Sequence, residues 1–176
     1  MQMSARVAVI MGSDSDLSIM IESCDVMDQL GIEYETTIIS AHRTPNRAVE
    51  YARGAAGRGL GVIIAGAGGA AHLPGVIAAL TDLPVIGVPV RGSSMEGFDS
   101  LLSIVQMPQG IPVATVGINN ARNAGLLAAR ILGVADDEVR SRVAEYRTRA
   151  ETEVIERAKE LERKGPRHYL KDQGGA

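Results

Sequence analysis

Short apolar runs alternate with amphipathic segments along most of the chain. Arg6-Val7-Ala8-Val9-Ile10-Met11 is almost continuously apolar, as a strand buried on both faces of a parallel sheet must be. Beyond Gly12-Ser13-Asp14-Ser15-Asp16, the residues Leu17, Met20, Cys24 and Met27 recur at helical spacing up to Gly31, a residue suited to the position just past a helix end. Tyr34–Ile39, rich in β-branched residues, predicts a second strand. A helix follows from Pro45 to about Arg58, with Thr44 as N-cap and Pro45 at the first helical position. Gly59 to Ala65 predicts a third strand, Pro74 to Leu80 a short helix, and Pro84 to Val88 a fourth strand. Gly97 to Gln106 predicts a helix and Val113 to Ile118 a fifth strand. Asn119-Asn120 can cap a helix that ends near Leu132-Gly133.

From Asp136 to about Lys164 a long charged segment carries a thin apolar stripe through Val139, Val143, Tyr146, Ala150, Val154 and Leu161. Its acidic start and basic end suit the helix dipole. Gly165 to Ala176 is expected to be a flexible tail. Five strands alternating with helices predict a single three-layer α/β domain over residues 1–164, with a five-stranded parallel sheet and a long C-terminal helix. The flavodoxin-like strand order 2-1-3-4-5 would put strands 1 and 3 at the switch point, with strand 2 beside strand 1. Three strand-to-helix loops then meet at one rim.

Each of these loops carries candidate chemistry. Ser40-Ala41-His42-Arg43-Thr44-Pro45 puts a histidine and an arginine beside a helix N-terminus, where backbone N–H groups favour anions. His42 can move a proton near neutral pH, and Arg43 can grip a phosphate or carboxylate with two prongs. In Gly12–Asp16 the serine hydroxyls and helix amides suit a phosphate, whereas Asp16 would repel one and better suits sugar hydroxyls. Gly66-Ala67-Gly68-Gly69-Ala70-Ala71-His72-Leu73-Pro74-Gly75 begins with six residues that have no functional group. Its chemistry is backbone amides and open space, suited to enclosing a small flat or anionic group. The spacing is only a degenerate G-x-G-x-x-A and no acidic residue closes the next strand, which argues against a dinucleotide. Taken singly, each loop also suits a structural role: capped helices, a tight turn, and a core histidine at His72.

Composition narrows the function. Aromatics are 3% of the 176 residues, with no Trp and one Phe, so the core must be aliphatic, and their scarcity argues against a stacking platform for single-stranded nucleic acid. A net charge of −3 without a basic block argues against nucleic acid and anionic membranes. One cysteine, Cys24, gives no internal disulfide and no metal spacing. The lysines are Lys159, Lys164 and Lys171, so the body of the chain lacks a P-loop, Schiff-base or pyridoxal-phosphate lysine. Without a signal-peptide pattern or an apolar run of about 18 residues, a cytoplasmic location is expected.

Together the loops resemble the PurE family. The resemblance rests on Met11-Gly12-Ser13-x-Ser15-Asp16, on Ser40 to Pro45, on Ala65 to Gly75, and on Ser103-Ile104-Val105-Gln106-Met107-Pro108-x-Gly110-Ile111-Pro112-Val113. It spans roughly Val7 to Leu132, and the His-Leu-Pro ending of the Gly-rich loop is similar to the bacterial class I mutase rather than the class II carboxylase. The charged C-terminal helix is longer than the family pattern implies.

The resemblance implies N5-carboxyaminoimidazole ribonucleotide mutase activity in de novo purine synthesis. A carboxyl group moves from an exocyclic nitrogen to ring carbon C4, by loss of CO2 and its recapture, in a homo-octamer that uses no metal or organic cofactor. By position, His42 would be the general acid/base. Ser13, Ser15, Ser40 and Arg43 would hold the 5′-phosphate, and Asp16 the ribose. Amides around Ala67, Gly68, Gly69 and Ala70 would enclose the carboxylate or freed CO2, and His72 would line the pocket or orient a neighbour. Two other readings fit the same residues: a class II carboxylase that takes CO2 directly, and a non-catalytic module that binds a nucleoside monophosphate.

Overall fold

A computed structural model describes residues 6–173. The elements in chain order are β1 (Arg6–Met11), α1 (Leu17–Gln29), β2 (Tyr34–Ile38), α2 (Pro45–Ala55), β3 (Leu60–Gly68), α3 (Leu73–Ala78), β4 (Val85–Val90), α4 (Phe98–Val105), β5 (Ala114–Thr115), α5 (Ala121–Leu132), α6 (Asp137–Lys164) and α7 (Pro166–Asp172). The sheet is parallel, in the order β2-β1-β3-β4-β5. Successive residues of β1 feed opposite faces, as strand geometry requires. Val7, Val9 and Met11 join the core under α1 and α5. Ala8 and Ile10 join the core under α2, α3 and α4. Every one of these side chains is essentially dry, which explains why β1 reads as a continuous apolar run.

β3 and β5 depart most from the sequence expectation, each for a local reason. β3 runs three residues further, through Gly68, so the first three residues of the Gly-rich stretch are strand rather than loop. The missing side chains let α1 close on it: a Cβ on Gly66 would overlap the Met20 thioether. β5 is shorter, at Ala114–Thr115. Val116 still donates to the Gly87 carbonyl at 3.1 Å. The next rung would need an amide hydrogen on residue 89, which is a proline. The chain regains contact only at Asn119, whose amide donates to Pro89 O at 2.8 Å.

α6 begins with Asp136, whose carboxylate accepts from the amides of Glu138 and Val139, both at 3.0 Å. Val139, Val143 and Tyr146 pack against the core, whereas Val154, Ile155 and Leu161 further along are exposed. Within the segment expected to be a flexible tail, residues 166–172 form α7. Pro166 at its first turn is preset for helix. Lys164 anchors it, reaching Asp172 at 2.6 Å and Glu160 at 2.7 Å. The last three residues, 174–176, lie outside those described. Among the described residues no helix is long and apolar enough to cross a membrane.

Candidate active site

β1, β2 and β3 end side by side, and their loops are tied together through the backbone. Gly12 N donates to Gly66 O at 3.1 Å, and Ile39 N to Met11 O at 2.9 Å. In the first loop the Ser13 hydroxyl accepts from Ser15 N at 3.4 Å and donates to Asp14 at 3.0 Å. Asp16 is buried, and the Ser15 hydroxyl donates to its carboxylate at 3.4 Å. Burial raises the Asp16 carboxyl above the ordinary range, against hydrogen bonds from the Ser13 backbone and the Ser15 side chain that favour the charged form.

The second loop is built around Ser40. Its hydroxyl accepts from Arg43 N at 3.1 Å and from Arg43 Nε at 3.3 Å. Arg43 Nη2 donates to Gly12 O at 3.1 Å, so the guanidinium spans the first and second loops. Ser40 therefore orients Arg43 and still has its own hydroxyl proton to donate. Thr44 precedes α2, but its side chain makes no capping bond to the helix. It donates to Ser40 O and accepts from Ser40 N, both at 3.0 Å. Thr44 thus closes the loop on itself rather than stopping the helix.

His42 Nε2 lies 2.7 Å from His72 Nδ1, with the rings edge-on at 86°. A hydrogen bond of that length between two ring nitrogens holds one hydrogen. The two imidazoles therefore act as a pair across the second and third loops. His72 was expected to line the pocket or orient a neighbour, and its neighbour is His42.

A cavity of about 570 Å³ opens at this rim. It brings together Ser13, Ser15, Asp16, Ser40, His42, Arg43, Ala67, Gly68 and His72. Gly69 and Ala70, expected to offer amides there, do not line it, which corrects that part of the sequence reading. Gly69 takes a left-handed φ of +65°, and its amide is spent on Ser100 Oγ at 2.8 Å. The sequence reading also missed Arg91, Gly92 and Ser93, which line the cavity from the loop after β4. The signal was present, since this is a polar loop at the carboxyl end of the strand next to β3. Arg91 N is held by Asn119 Oδ1 at 2.8 Å, and its guanidinium pairs with Glu96 at 3.2 Å.

The cavity thus offers an arginine with serine hydroxyls for an anion, a buried carboxylate for hydroxyl groups, and an imidazole pair for proton transfer. Among the described residues no group of three or more His, Cys, Asp or Glu side chains is placed to hold a metal ion.

The chain matches the family described as AIR carboxylase over residues 6–153. It is 59% identical over 165 residues to the N5-carboxyaminoimidazole ribonucleotide mutase of Thermotoga maritima, covering 94% of this chain and 96% of that protein. It is 58% identical over 169 residues to the phosphoribosylaminoimidazole carboxylase of Candida albicans, covering 96% of this chain but 30% of that longer protein. The crystal structure of Treponema denticola PurE superposes with a TM-score of 0.80 at 31% identity, covering 89% of this chain and 98% of that one. The matched residues include all five strands and the loops that build the cavity, and the chain belongs to the AIR carboxylase family.

Proposed function

We propose that this chain is an N5-carboxyaminoimidazole ribonucleotide mutase of de novo purine synthesis, working in the cytoplasm as a homo-oligomer, an octamer by the family pattern. The observation that carries the reading is the His42–His72 pair, which lines one cavity together with Arg43, the serines and the Ala67–Gly68 stretch that has no side-chain chemistry.

Arg43 and the hydroxyls of Ser13, Ser15 and Ser40 take the 5′-phosphate, and Asp16 takes the ribose hydroxyls. The exocyclic N–C bond breaks and releases CO2 while His42 gives a proton to the nitrogen. Ring carbon C4 then attacks the trapped CO2, a C–C bond forms, and His42 takes the proton that C4 gives up. The atoms balance as an isomerisation. His72 sets which nitrogen of His42 carries hydrogen and shares the proton between steps. The wall at Ala67 and Gly68 admits a flat group closely, and a closed pocket slows the escape of CO2.

Assay of the purified protein tests this directly. Turnover of N5-carboxyaminoimidazole ribonucleotide to the C4-carboxylated isomer is expected. Turnover only of aminoimidazole ribonucleotide with dissolved CO2 would replace the mutase by a carboxylase. Binding of the ribonucleotide with neither reaction would leave a nucleoside-monophosphate binding module.

A further inference from the structure

The turn after β3 has no side chain able to fix its own shape, because Gly68, Gly69 and Ala70 supply none. Its shape is fixed from α4. Ser100 is fully buried. Its hydroxyl donates to the Val90 carbonyl at 2.7 Å and accepts from the Gly69 amide at 2.8 Å. One hydroxyl thereby ties the end of β4 to the turn after β3. One helical turn on, the Ser103 hydroxyl donates to the Asp99 carbonyl at 2.7 Å and lies 3.4 Å from the Gly69 carbonyl oxygen. Gly69 takes a left-handed conformation there, which glycine reaches without steric cost, so the turn would otherwise be free to move. Val90, Ala67 and Gly68, the residues on either side of this tie, line the cavity.

We propose that Ser100 is a positioning residue: it never meets the substrate, and it holds the Ala67–Gly68 wall in the place where the migrating carboxyl group lies. This rests on the mutase reading above. Without the hydroxyl, the Gly69 amide and the buried Val90 carbonyl lose their shared partner. Buried backbone groups do not stay unpaired, so the turn shifts until water or another group satisfies them. The phosphate corner stands on other loops and stays in place. The loss should therefore fall on the chemical step and on the retention of CO2, and not on ribonucleotide binding.

The test is Ser100→Ala beside Ser23→Ala. Ser23 is equally buried and donates to the Ala121 carbonyl at 2.7 Å, between α1 and α5, away from the cavity. Both variants should lose thermal stability. Ser100→Ala should also lose up to about 100-fold in kcat, since displacing a reacting group by about an ångström has that effect. Its KM should stay within about threefold of the parent. It should release a larger share of substrate as aminoimidazole ribonucleotide and CO2. Ser23→Ala should keep kcat and product partition. If Ser100→Ala does not fold, Ser100→Cys, of similar shape but a weak donor, carries the same readings. Ser100 variants that match Ser23→Ala in kcat and partition would overturn the inference and leave the mutase reading standing. A parent protein that does not convert N5-carboxyaminoimidazole ribonucleotide would instead remove the mutase reading.

Discussion

The sheet ends in a cavity at each rim. At the carboxyl rim, about 570 Å³ is lined by His42, Arg43, Asp16 and three serines predicted from sequence. At the amino rim, about 780 Å³ lies between the end of α3, the turn into β4 and the approach to β5. Its walls include Leu80, Leu83, Ile111 and Pro112, with Arg53, Thr81 and Asp82 as polar members. The larger space carries the poorer chemistry, and strand polarity explains why. In a parallel sheet every strand-to-helix loop arrives at the carboxyl rim, bringing helix N-termini whose free N–H groups favour anions. At the amino rim the chain leaves helices, whose C-terminal ends do not favour anions. The Thr81 hydroxyl there accepts from Leu83 N at 3.3 Å, a local turn bond. No imidazole lines that cavity. Size alone does not mark a site; convergence of donors, a carboxylate and an imidazole does.

Substitutions at the two rims test this contrast. The largest effect is expected for His42→Asn at the carboxyl rim. Losing a general acid/base lowers kcat by roughly 10²–10⁴-fold, while ribonucleotide affinity, measured by calorimetry, stays near the parent value. Turnover at the parent rate would take His42 out of the reaction.

Arg43→Lys comes next. It keeps a point charge but loses the guanidinium reach to Ser40 and Gly12. Hydrogen bonds to charged groups contribute about 1.5–3 kcal/mol, so KM should rise by about tenfold or more with kcat little changed. A fall in kcat at constant KM would assign Arg43 to the chemical step instead.

Asp16→Asn gives a smaller effect, read in stability. Burial raises the folded carboxyl above its unfolded value, so the fold favours the protonated form. That contribution is complete below the unfolded value, about 3.9, and is lost as pH rises through the raised one. At pH 7 the charged group is therefore a burden that Asn removes. Asp16→Asn should melt higher than the parent at pH 7, the gap closing as pH falls below about 4, and its KM should rise through the lost ribose contact. A gap that widens on acidification would contradict the burial argument.

The smallest effect belongs to the amino rim. Asp82→Asn should leave kcat and KM within about twofold and stability within about 0.5 kcal/mol, as for an ordinary exposed position. A larger loss of turnover would show that the second cavity takes part after all.

Much of the carboxyl rim was legible beforehand because its evidence is local. The apolar run of β1, the periodic face of α1 and the punctuation by Gly and Pro are written within short windows, and a parallel sheet follows from alternating elements. Ser13, Ser15, Asp16, Ser40, His42 and Arg43 sit directly behind strands, so topology alone brought them to one place. Three features were not legible. Pro89 ended the β5 ladder through an amide it lacks on the neighbouring strand. α7 formed where a tail was expected, held by Lys164 and Asp172 across a turn.

The third feature is the Gly69 amide, which looked free for a ligand and is held by Ser100, 31 residues away in sequence. Sequence by itself determined which residues arrive at the rim, because burial pattern and backbone restrictions act over a few positions. Only the tertiary structure decided which polar atoms remain open to a substrate. That depends on partners from distant segments, and a buried donor takes whichever acceptor the packing places beside it.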